Sequence, residues 1–362
     1  MLVYVLNPGS TSTKLGLATV TAGPGGAAAN VERIEVKHPD IRQRDAAAKG
    51  LDPNALDAIR KLVRDAAAAW PRPDAIAVRG GIIGPIPAGT YRVTPTLAEY
   101  SLSCPYGVHP SNAAATIGLE WAAELGVPVF MTDPPTVDEM LPEARVSGVP
   151  GIQRVSRFHA LNARAVARRA AREVGKRFDD AAIVVAHLGG GASVTRFEKG
   201  RAIDTSGGLL DEGAFSPQRA GTVPAWGLLD LAYRTPREEL ERRLTTECGF
   251  QGLLGTADLR EIEAREPGDE NVQRVVNAFI LQVAKTVGAY AAAGGRPDAI
   301  ALTGGVVRWA KLAERLERRL AWIAPVIIVA GELELEALAE GAGRVLLGIE
   351  AARDWQPGTP AA

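Results

Sequence analysis

The sequence predicts an α/β protein made of two similar halves, and three observations favour this fold class. Residues 2–6 form a short apolar run that is typical of a buried strand, and a polar turn and a second strand pattern follow it. The same arrangement returns about 180 residues later, where residues 182–186 lead into a glycine-rich turn. A length of 362 residues is also what two domains with separate cores require.

Composition places the chain among water-soluble globular proteins. Hydrophobic residues make up 46% of the chain and charged residues 23%. The formal net charge of −1 gives no general attraction to nucleic acid or to an anionic membrane. We therefore expect a small-molecule substrate and no nucleic-acid or membrane partner.

Cysteine usage and the N-terminus indicate a cytoplasmic protein. Cys104 and Cys248 are the only cysteines and form no CxxC pair, so neither a disulfide framework nor a zinc site is expected. The first residues lack the basic and apolar regions of a signal peptide. No apolar run approaches the ~20 residues of a membrane span.

The two polar turns are candidate phosphate sites. Residues 7–14 contain one amide, four hydroxyls, a glycine and Lys14, and such a turn can bind an anion through its backbone N–H groups. Alone, that turn is equally compatible with an ordinary hairpin. The second turn, residues 187–193, contains three consecutive glycines, which let N–H groups approach phosphate oxygens closely. Together the two turns predict a site for the phosphates of a nucleotide.

Functional side chains also follow several predicted strands. Arg79 and two glycines come directly after the strand pattern of residues 75–78, and we favour a ligand-binding role over a surface position. Asp133 follows the strand pattern of residues 127–131. Residues 303–305, Thr-Gly-Gly, end a later strand pattern and precede a helix, as in a cradle for a nucleoside or α-phosphate.

Helical periodicity is clear in three segments. Residues 51–70 begin with the capping pair Asp52 and Pro53 and carry an apolar face. Residues 160–174 present arginines at spacing four, which we interpret as a solvated basic face. Residues 272–290 carry apolar side chains on one face. In contrast, residues 204–224 form a long patternless stretch containing Arg219, which is typical of a functional loop.

Competing nucleotide-binding motifs are missing from the sequence. No G-x-x-x-x-G-K-[ST] occurs, since Gly175 and Lys176 are followed by Arg177. No G-x-G-x-x-G follows a strand pattern either. P-loop and dinucleotide-binding folds are therefore disfavoured.

Six short motifs in a fixed order resemble a known family. The chain is similar to the butyrate kinases of the acetate kinase family, within the actin/hexokinase-like (ribonuclease H-like) superfamily. The resemblance implies two similar domains around a central cleft. The first domain comprises residues 1–155, and a C-terminal helix at about 340–362 packs on it. The second domain comprises residues 156–339. The motifs are NPGSTSTK at 7–14, VHPSN at 108–112, DP at 133–134 with VDEM at 137–140, FHALN at 158–162, HLGGG at 187–191 and TGG at 303–305.

The resemblance implies reversible transfer of phosphate from ATP to a short-chain carboxylate, with Mg²⁺, giving an acyl phosphate and ADP. Butyrate or a branched relative is the expected acceptor, and acetate or propionate remains an alternative. A sugar kinase or a switch-type ATPase of the same superfamily is a further alternative. The family tends to form homodimers or larger homo-oligomers.

The resemblance also assigns residues to the nucleotide. Matching positions in the two phosphate loops and the later glycine turn are Asn7, Ser10, Ser12, Lys14, Gly189, Gly190, Gly191, Gly304 and Gly305.

A second group of residues matches the family's catalytic positions. Arg79, or a neighbouring residue, would hold the substrate carboxylate. His159 and Arg219 would neutralise the transferring phosphoryl group, and Asp133 would orient Arg219 or a metal-bound water. His109 belongs to the same group through its motif. A carboxylate acceptor is already ionised at neutral pH, so no general base is needed.

The Mg²⁺ carboxylate follows the last strand pattern. Glu334 is the best match to the family's metal-linked carboxylate, and Glu332 is the alternative.

Overall fold

The computed structural model describes residues 1–23, 26–42, 50–209 and 211–356. The chain forms two compact units. The first unit contains Met1–Asp138 and Leu333–Ala362, and the second contains Glu139–Glu332. Residues 139–155, assigned above to the first domain, belong to the second unit because backbone and side-chain bonds tie them to a strand of that unit. Leu141 N–H donates to Ile203 O (2.9 Å), and Arg154 bonds Asp204 (2.9 Å).

The first unit is built on a six-stranded mixed sheet. Its strand order is β3-β2-β1-β4-β6-β5, with β1, β2 and β3 forming an antiparallel meander and β4 and β6 running parallel to β1. The elements of this unit are β1 (Leu2–Pro8), β2 (Ser12–Gly23), β3 (Gly26–Lys37), α1 (Pro53–Ala66), β4 (Ala75–Arg79), β5 (Thr90–Arg92), α2 (Pro95–Leu102), α3 (Ala114–Leu125) and β6 (Val129–Thr132).

Helix α1 confirms the predicted capping pattern. The Asp52 side chain accepts a hydrogen bond from Asn54 N–H at 2.9 Å, and Pro53 is the first helical residue. Ile59 and Val63 are fully buried in the core on the predicted face. The helix ends at Ala66, four residues before the predicted end, since Ala67 leaves helical geometry.

The second unit repeats the sheet plan of the first. Its strand order is β11-β10-β7-β8-β9, with β7, β8 and β9 antiparallel and β10 and β11 parallel to β7. The predicted internal repeat is thus visible in the topology. The elements are α4 (Ala160–Glu173), β7 (Ala182–Leu188), β8 (Ala192–Glu198), β9 (Arg201–Thr205), α5 (Ala225–Ala232), α6 (Arg237–Thr246), α7 (Gly249–Leu254), α8 (Leu259–Arg265), α9 (Glu270–Ala292), β10 (Ala299–Gly304), α10 (Ala310–Leu320) and β11 (Val326–Ala330).

Helix α9 forms the centre of the second unit's core. The apolar face predicted for residues 272–290 is buried, and Phe279 packs against Phe215 and Phe250 at ring-centroid distances of 5.5 and 5.2 Å. Within the described part of the chain, α9 is the one helix with the length and hydropathy of a membrane span. The burial of its apolar face in the core explains why the helix is so apolar.

The predicted basic face of α4 is only partly solvated. Arg164 is 6% exposed and donates to Gly200 O at 2.9 Å. Its guanidinium also stacks on Phe178 at 5.4 Å, as does that of Arg168 at 4.8 Å. The prediction of solvent exposure was wrong for Arg164, because an ion pair with Glu139 at 3.2 Å compensates its burial.

The chain returns to the first unit through helix α11 (Glu334–Leu346). The helix packs on the sheet at two glycines, where a Cβ on Gly341 would overlap Thr132 and a Cβ on Gly343 would overlap Val20. The C-terminal helix predicted at about 340–362 begins earlier and ends at Leu346, where Gly348 takes a left-handed conformation (φ 69°). Residues 357–362 of that prediction lie outside the described part of the chain.

Candidate active site

The polar turn of the first unit joins β1 to β2. Asn7 and Lys14 lie opposite each other in the antiparallel register, and Gly9 N–H donates to Ser12 O at 2.8 Å. The hydroxyl of Ser12 donates to Glu35 on β3 at 2.5 Å, whereas Lys14 is exposed. Of the side chains predicted here to bind phosphate, Ser12 is thus engaged with the protein and Lys14 faces solvent. Ser10 is half-buried in the same turn.

Three polar side chains meet at the end of β1 and β4. Arg79 is the last residue of β4, and its Nη1 forms an ion pair with Oε1 of Glu334 at the start of α11. The other oxygen of Glu334 accepts a hydrogen bond from Asn7 Nδ2 at 2.7 Å. The Nε of Arg79 is buried and has no hydrogen-bond partner among the described residues. Both Glu334 oxygens therefore accept hydrogen bonds, whereas the Nε–H of Arg79 donates none to a described residue.

The ionisation of Glu334 follows from these neighbours. Burial alone would raise its pKa, but the charge and hydrogen bond of Arg79 oppose this effect. Asn7 and the charge of Lys14 add to the stabilisation, so the pKa of Glu334 lies below its ordinary value. The residue is a carboxylate at neutral pH.

His109 is held in its neutral form near this ion pair. Its Nδ1 accepts from Ser111 N–H at 3.2 Å and lies 2.6 Å from the Ser111 hydroxyl. Burial lowers the pKa of His109 to about 4, with the positive charge of Arg79 as the second cause and Glu334 opposing it. With Nδ1 accepting, the neutral ring carries its proton on Nε2.

Asp133 follows β6 in a strained conformation. Its φ of 41° is rare for a residue with a side chain, and the carboxylate accepts from Gly89 N–H at 2.8 Å. Asp133 N–H in turn donates to Gly89 O at 3.0 Å. These paired bonds to Gly89 maintain the conformation, which is the kind of local strain that functional sites often contain.

In the second unit, the three-glycine turn joins β7 to β8. Gly189 N–H donates to Gly191 O at 2.9 Å, and Gly190 has open space where a Cβ would be. A Cβ on Gly191 would overlap the Arg219 guanidinium, which donates to Gly208 O. Because Gly191 has no side chain, the Arg219 guanidinium fits beside it. The sequence pattern did not indicate this packing role for the glycine.

The loop carrying Arg219 is fixed to this turn. The Ser216 hydroxyl donates to Gly190 O at 2.7 Å and accepts from Arg219 N–H at 3.1 Å. Burial lowers the pKa of Arg219, yet an arginine stays protonated in proteins. The turn thus combines exposed backbone at Gly190 with one partly buried cation.

Two histidines stack beside the same turn. The rings of His159 and His187 lie 3.9 Å apart with an interplanar angle of 15°. His159 Nδ1 lies 3.0 Å from the Ser193 hydroxyl, and His187 Nδ1 accepts from Asn162 at 2.9 Å. His187 was missing from the predicted site residues, although it opens the predicted HLGGG motif.

The remaining predicted residues of this unit lie at the end of β10 or directly after β10 and β11. Gly304 exchanges two backbone hydrogen bonds of 3.0 Å with Gly331, so its N–H is already used, whereas Gly305 has open space at its Cβ position. Glu332 is half-exposed, and its Oε1 lies 3.9 Å from His187 Nε2.

The structure brings several of the predicted residues together within each unit. Asn7, Arg79 and Glu334 make direct contacts in the first unit, with His109 in their electrostatic range. Arg219 and the glycine turn make direct contacts in the second. Among the described residues, no group of three or more His, Cys, Asp or Glu side chains could share a metal ion.

Comparison with known proteins shows which family the chain is similar to. Residues 143–321 match the Acetokinase family. A protein of Deinococcus radiodurans described as a probable butyrate kinase is 48% identical over 365 residues, covering 99% of this chain and 94% of that protein.

Solved structures agree with the fold. An acetate kinase from Porphyromonas gingivalis superposes with a TM-score of 0.74 at 22% identity, covering 95% of this chain and 99% of that one. A propionate kinase from Francisella tularensis superposes with a TM-score of 0.70 at 19% identity, covering 94% and 99%. They confirm the predicted actin/hexokinase-like fold class. The chain therefore belongs to the acetate kinase family, as its ordered motifs predicted.

Proposed function

We propose that this carboxylate kinase transfers the γ-phosphoryl group of ATP to butyrate or a branched short-chain relative, reversibly, giving an acyl phosphate and ADP. The near-full-length similarity to a probable butyrate kinase supports this acceptor class. The observation that carries the proposal is the buried Nε–H of Arg79, which has no partner among the described residues. A substrate carboxylate is a suitable acceptor for it, because arginine binds carboxylates along one edge.

The chemistry needs charge neutralisation more than proton transfer. A carboxylic acid is ionised at neutral pH, so the acceptor attacks without a base. The difficulty is that an anion must approach a polyphosphate. We assign Arg219 and His159 to the equatorial oxygens of the transferring group, and the exposed amides near Gly190 to the phosphate chain.

The nucleotide and the metal would use residues that are exposed to solvent. Lys14 and Gly305 fit this requirement. When bound, Mg²⁺ would offset part of the negative charge of the phosphates. Glu332 is half-exposed and can accept a cation, whereas both oxygens of Glu334 are engaged by Arg79 and Asn7.

A hydroxylamine trap for acyl phosphate tests the activity directly. With ATP and Mg²⁺, we expect hydroxamate formation from butyrate and isobutyrate at a higher kcat/KM than from propionate or acetate, and none from glucose. Highest activity with acetate would change the assigned acceptor within the family. Phosphorylation of glucose with no hydroxamate from any carboxylate would replace the proposal by a sugar kinase.

Two arginine variants, one a test and one a control, examine the role of Arg219 in the same assay. Arg219→Ala should lower kcat by about 10²–10³-fold, because one preorganised donor to the reacting oxygens is removed. Arg315→Ala is the matched control, since Arg315 forms a partly buried ion pair with Glu266 in the same unit (2.6 Å). Full activity of the Arg219 variant would remove that residue from the mechanism.

The neutral state of His109 predicts a pH effect. Because its pKa of about 4 lies below the ordinary 6.5, the unfolded chain binds more protons between these values. Stability should therefore rise with pH through this window and be lost as pH falls towards 4. In an NMR titration of the four histidines, one ring, absent in His109→Asn, should titrate near pH 4. Titration of that ring near 6.5 would contradict the site geometry.

We further propose that the enzyme is a homo-oligomer that associates through α5. This helix is apolar in sequence, AWGLLDLA, yet none of its residues is buried, and Trp226 and the following Tyr233 are 83% and 89% exposed. The adjacent α6 carries three arginines and three glutamates, so a second copy of the surface offers complementary charges. Two large aromatics per chain supply much of the ~800 Å² per partner that a stable interface buries.

Molar mass in solution tests this surface. Light scattering should give at least twice the 38.1 kDa chain mass for the wild type, and Trp226→Asp should lower it to one chain. Trp322→Asp is the matched control, since Trp322 is 79% exposed elsewhere in the same unit. A monomeric wild type, or an oligomer unaffected by Trp226→Asp, would refute the assignment.

A further inference from the structure

The loop between β9 and α5 contains a carboxylate oxygen that no described residue satisfies. Oδ2 of Asp211 is buried and has no hydrogen-bond partner among the described residues. A buried carboxylate oxygen without a partner lowers the stability of the folded state. Such groups are rare in native proteins, and a role in a functional site is one physical reason for keeping one.

The loop around Asp211 fixes where this carboxylate lies. The next residue, Glu212, donates its N–H to Ser206 O at 3.1 Å and accepts from the Tyr290 hydroxyl at 2.6 Å. The Asp211 side chain lies against Gly207, where a Cβ would come within 2.3 Å of Oδ2. Gly207 has a φ of 73°, in the left-handed region that favours glycine. The loop conformation thus places the Asp211 carboxylate on the backbone of Gly207.

Arg219 lines the same small cavity as Asp211. Its guanidinium donates to the carbonyl of Gly208, which directly follows Gly207 in the chain. The cavity has a volume of about 10 Å³, and Asp211, Ser216 and Arg219 are among its lining residues. This volume is enough for about one water molecule, and polar walls of this kind favour one. A carboxylate and a guanidinium therefore meet at one cavity with room for a single water.

Opposite charges at one cavity restrict the orientation of both side chains. An arginine has five N–H donors, and Gly208 O engages Nη1 of Arg219. A water that accepts from the guanidinium and donates to Asp211 would engage one further donor, at little enthalpic cost relative to a direct bond. The remaining donors would then be fixed in direction and available to an anion. Asp211 would contribute to this orientation at the expense of stability.

We propose that Asp211 is a positioning residue that orients the Arg219 guanidinium through one buried water, so that its remaining donors meet the transferring phosphoryl group. This inference rests on the proposed role of Arg219 in neutralising that group. It assigns an orienting role to an acid in the same loop as Arg219, in addition to the role of Asp133 that the sequence resemblance implied.

Steady-state kinetics of Asp211→Asn in the hydroxamate assay test the inference. The isosteric amide removes the charge, so kcat should fall about 10–100-fold, as expected for the loss of a hydrogen bond to a charged group. KM for ATP and for butyrate should change by less than about threefold, because binding of both substrates is unaffected. In the Arg219→Ala background, Asp211→Asn should change kcat by less than about twofold, because Asp211 acts through Arg219.

Two further readouts need neither substrate nor metal. The Tm of Asp211→Asn should equal or exceed that of the wild type, because a buried unpaired charge is removed. The ¹⁵N–¹H NMR signal of Arg219 Nε, identified by its loss in Arg219→Ala, should shift or broaden in Asp211→Asn. Asp180→Asn is the matched control, since Asp180 is 70% exposed in the same unit and should change neither the kinetics nor this signal.

The outcomes separate this inference from the proposed function. If Arg219→Ala keeps full activity, the proposed role of Arg219 fails. If Arg219→Ala lowers kcat and Asp211→Asn does not, only the positioning role fails. An equal loss of kcat from Asp211→Asn in both backgrounds, or an unchanged Arg219 signal, would also overturn it. A loss of kcat together with a Tm lower by more than about 5 °C would instead assign Asp211 a role in folding and refute the positioning role.

Discussion

The ion pair between Arg79 and Glu334 is the constraint on which the first unit's site depends. It joins residues 255 positions apart in sequence, one at the end of a central strand and one at the start of the last helix. Neither charge could be buried alone without a large desolvation cost. Asn7 completes the arrangement from β1, so strand ends and a helix start meet around one carboxylate.

The second unit also fixes a cationic side chain, but it does so with a glycine turn and a loop. Its glycine turn has no side chain at Gly191, and Arg219 fills the space. Ser216 links the Arg219 loop to Gly190. A cation is thereby placed beside exposed backbone, and the stacked histidines 159 and 187 lie next to it. In both units, contacts with neighbouring groups orient a charged side chain.

Much of this could be predicted from sequence because the signals are local. The strand–turn–strand repeat, the Asp52 cap and the apolar face of α9 depend on neighbouring residues, and all three were confirmed. The fold class and family followed from ordered motifs. The buried state of Arg164 could not be read from helical spacing, because it depends on Glu139 and Phe178. The Arg79–Glu334 contact likewise depends on α11 returning to the first unit, which no local pattern records.

The central claim is that Glu334 and Arg79 are energetically coupled. A double-mutant cycle with Arg79→Ala, Glu334→Ala and the double variant measures this through the free energy of unfolding. We predict a coupling energy of about 1–3 kcal/mol, in the range found for residues in direct contact. Effects that add to within about 0.5 kcal/mol would show that the two side chains do not stabilise each other, and would contradict this account of the site.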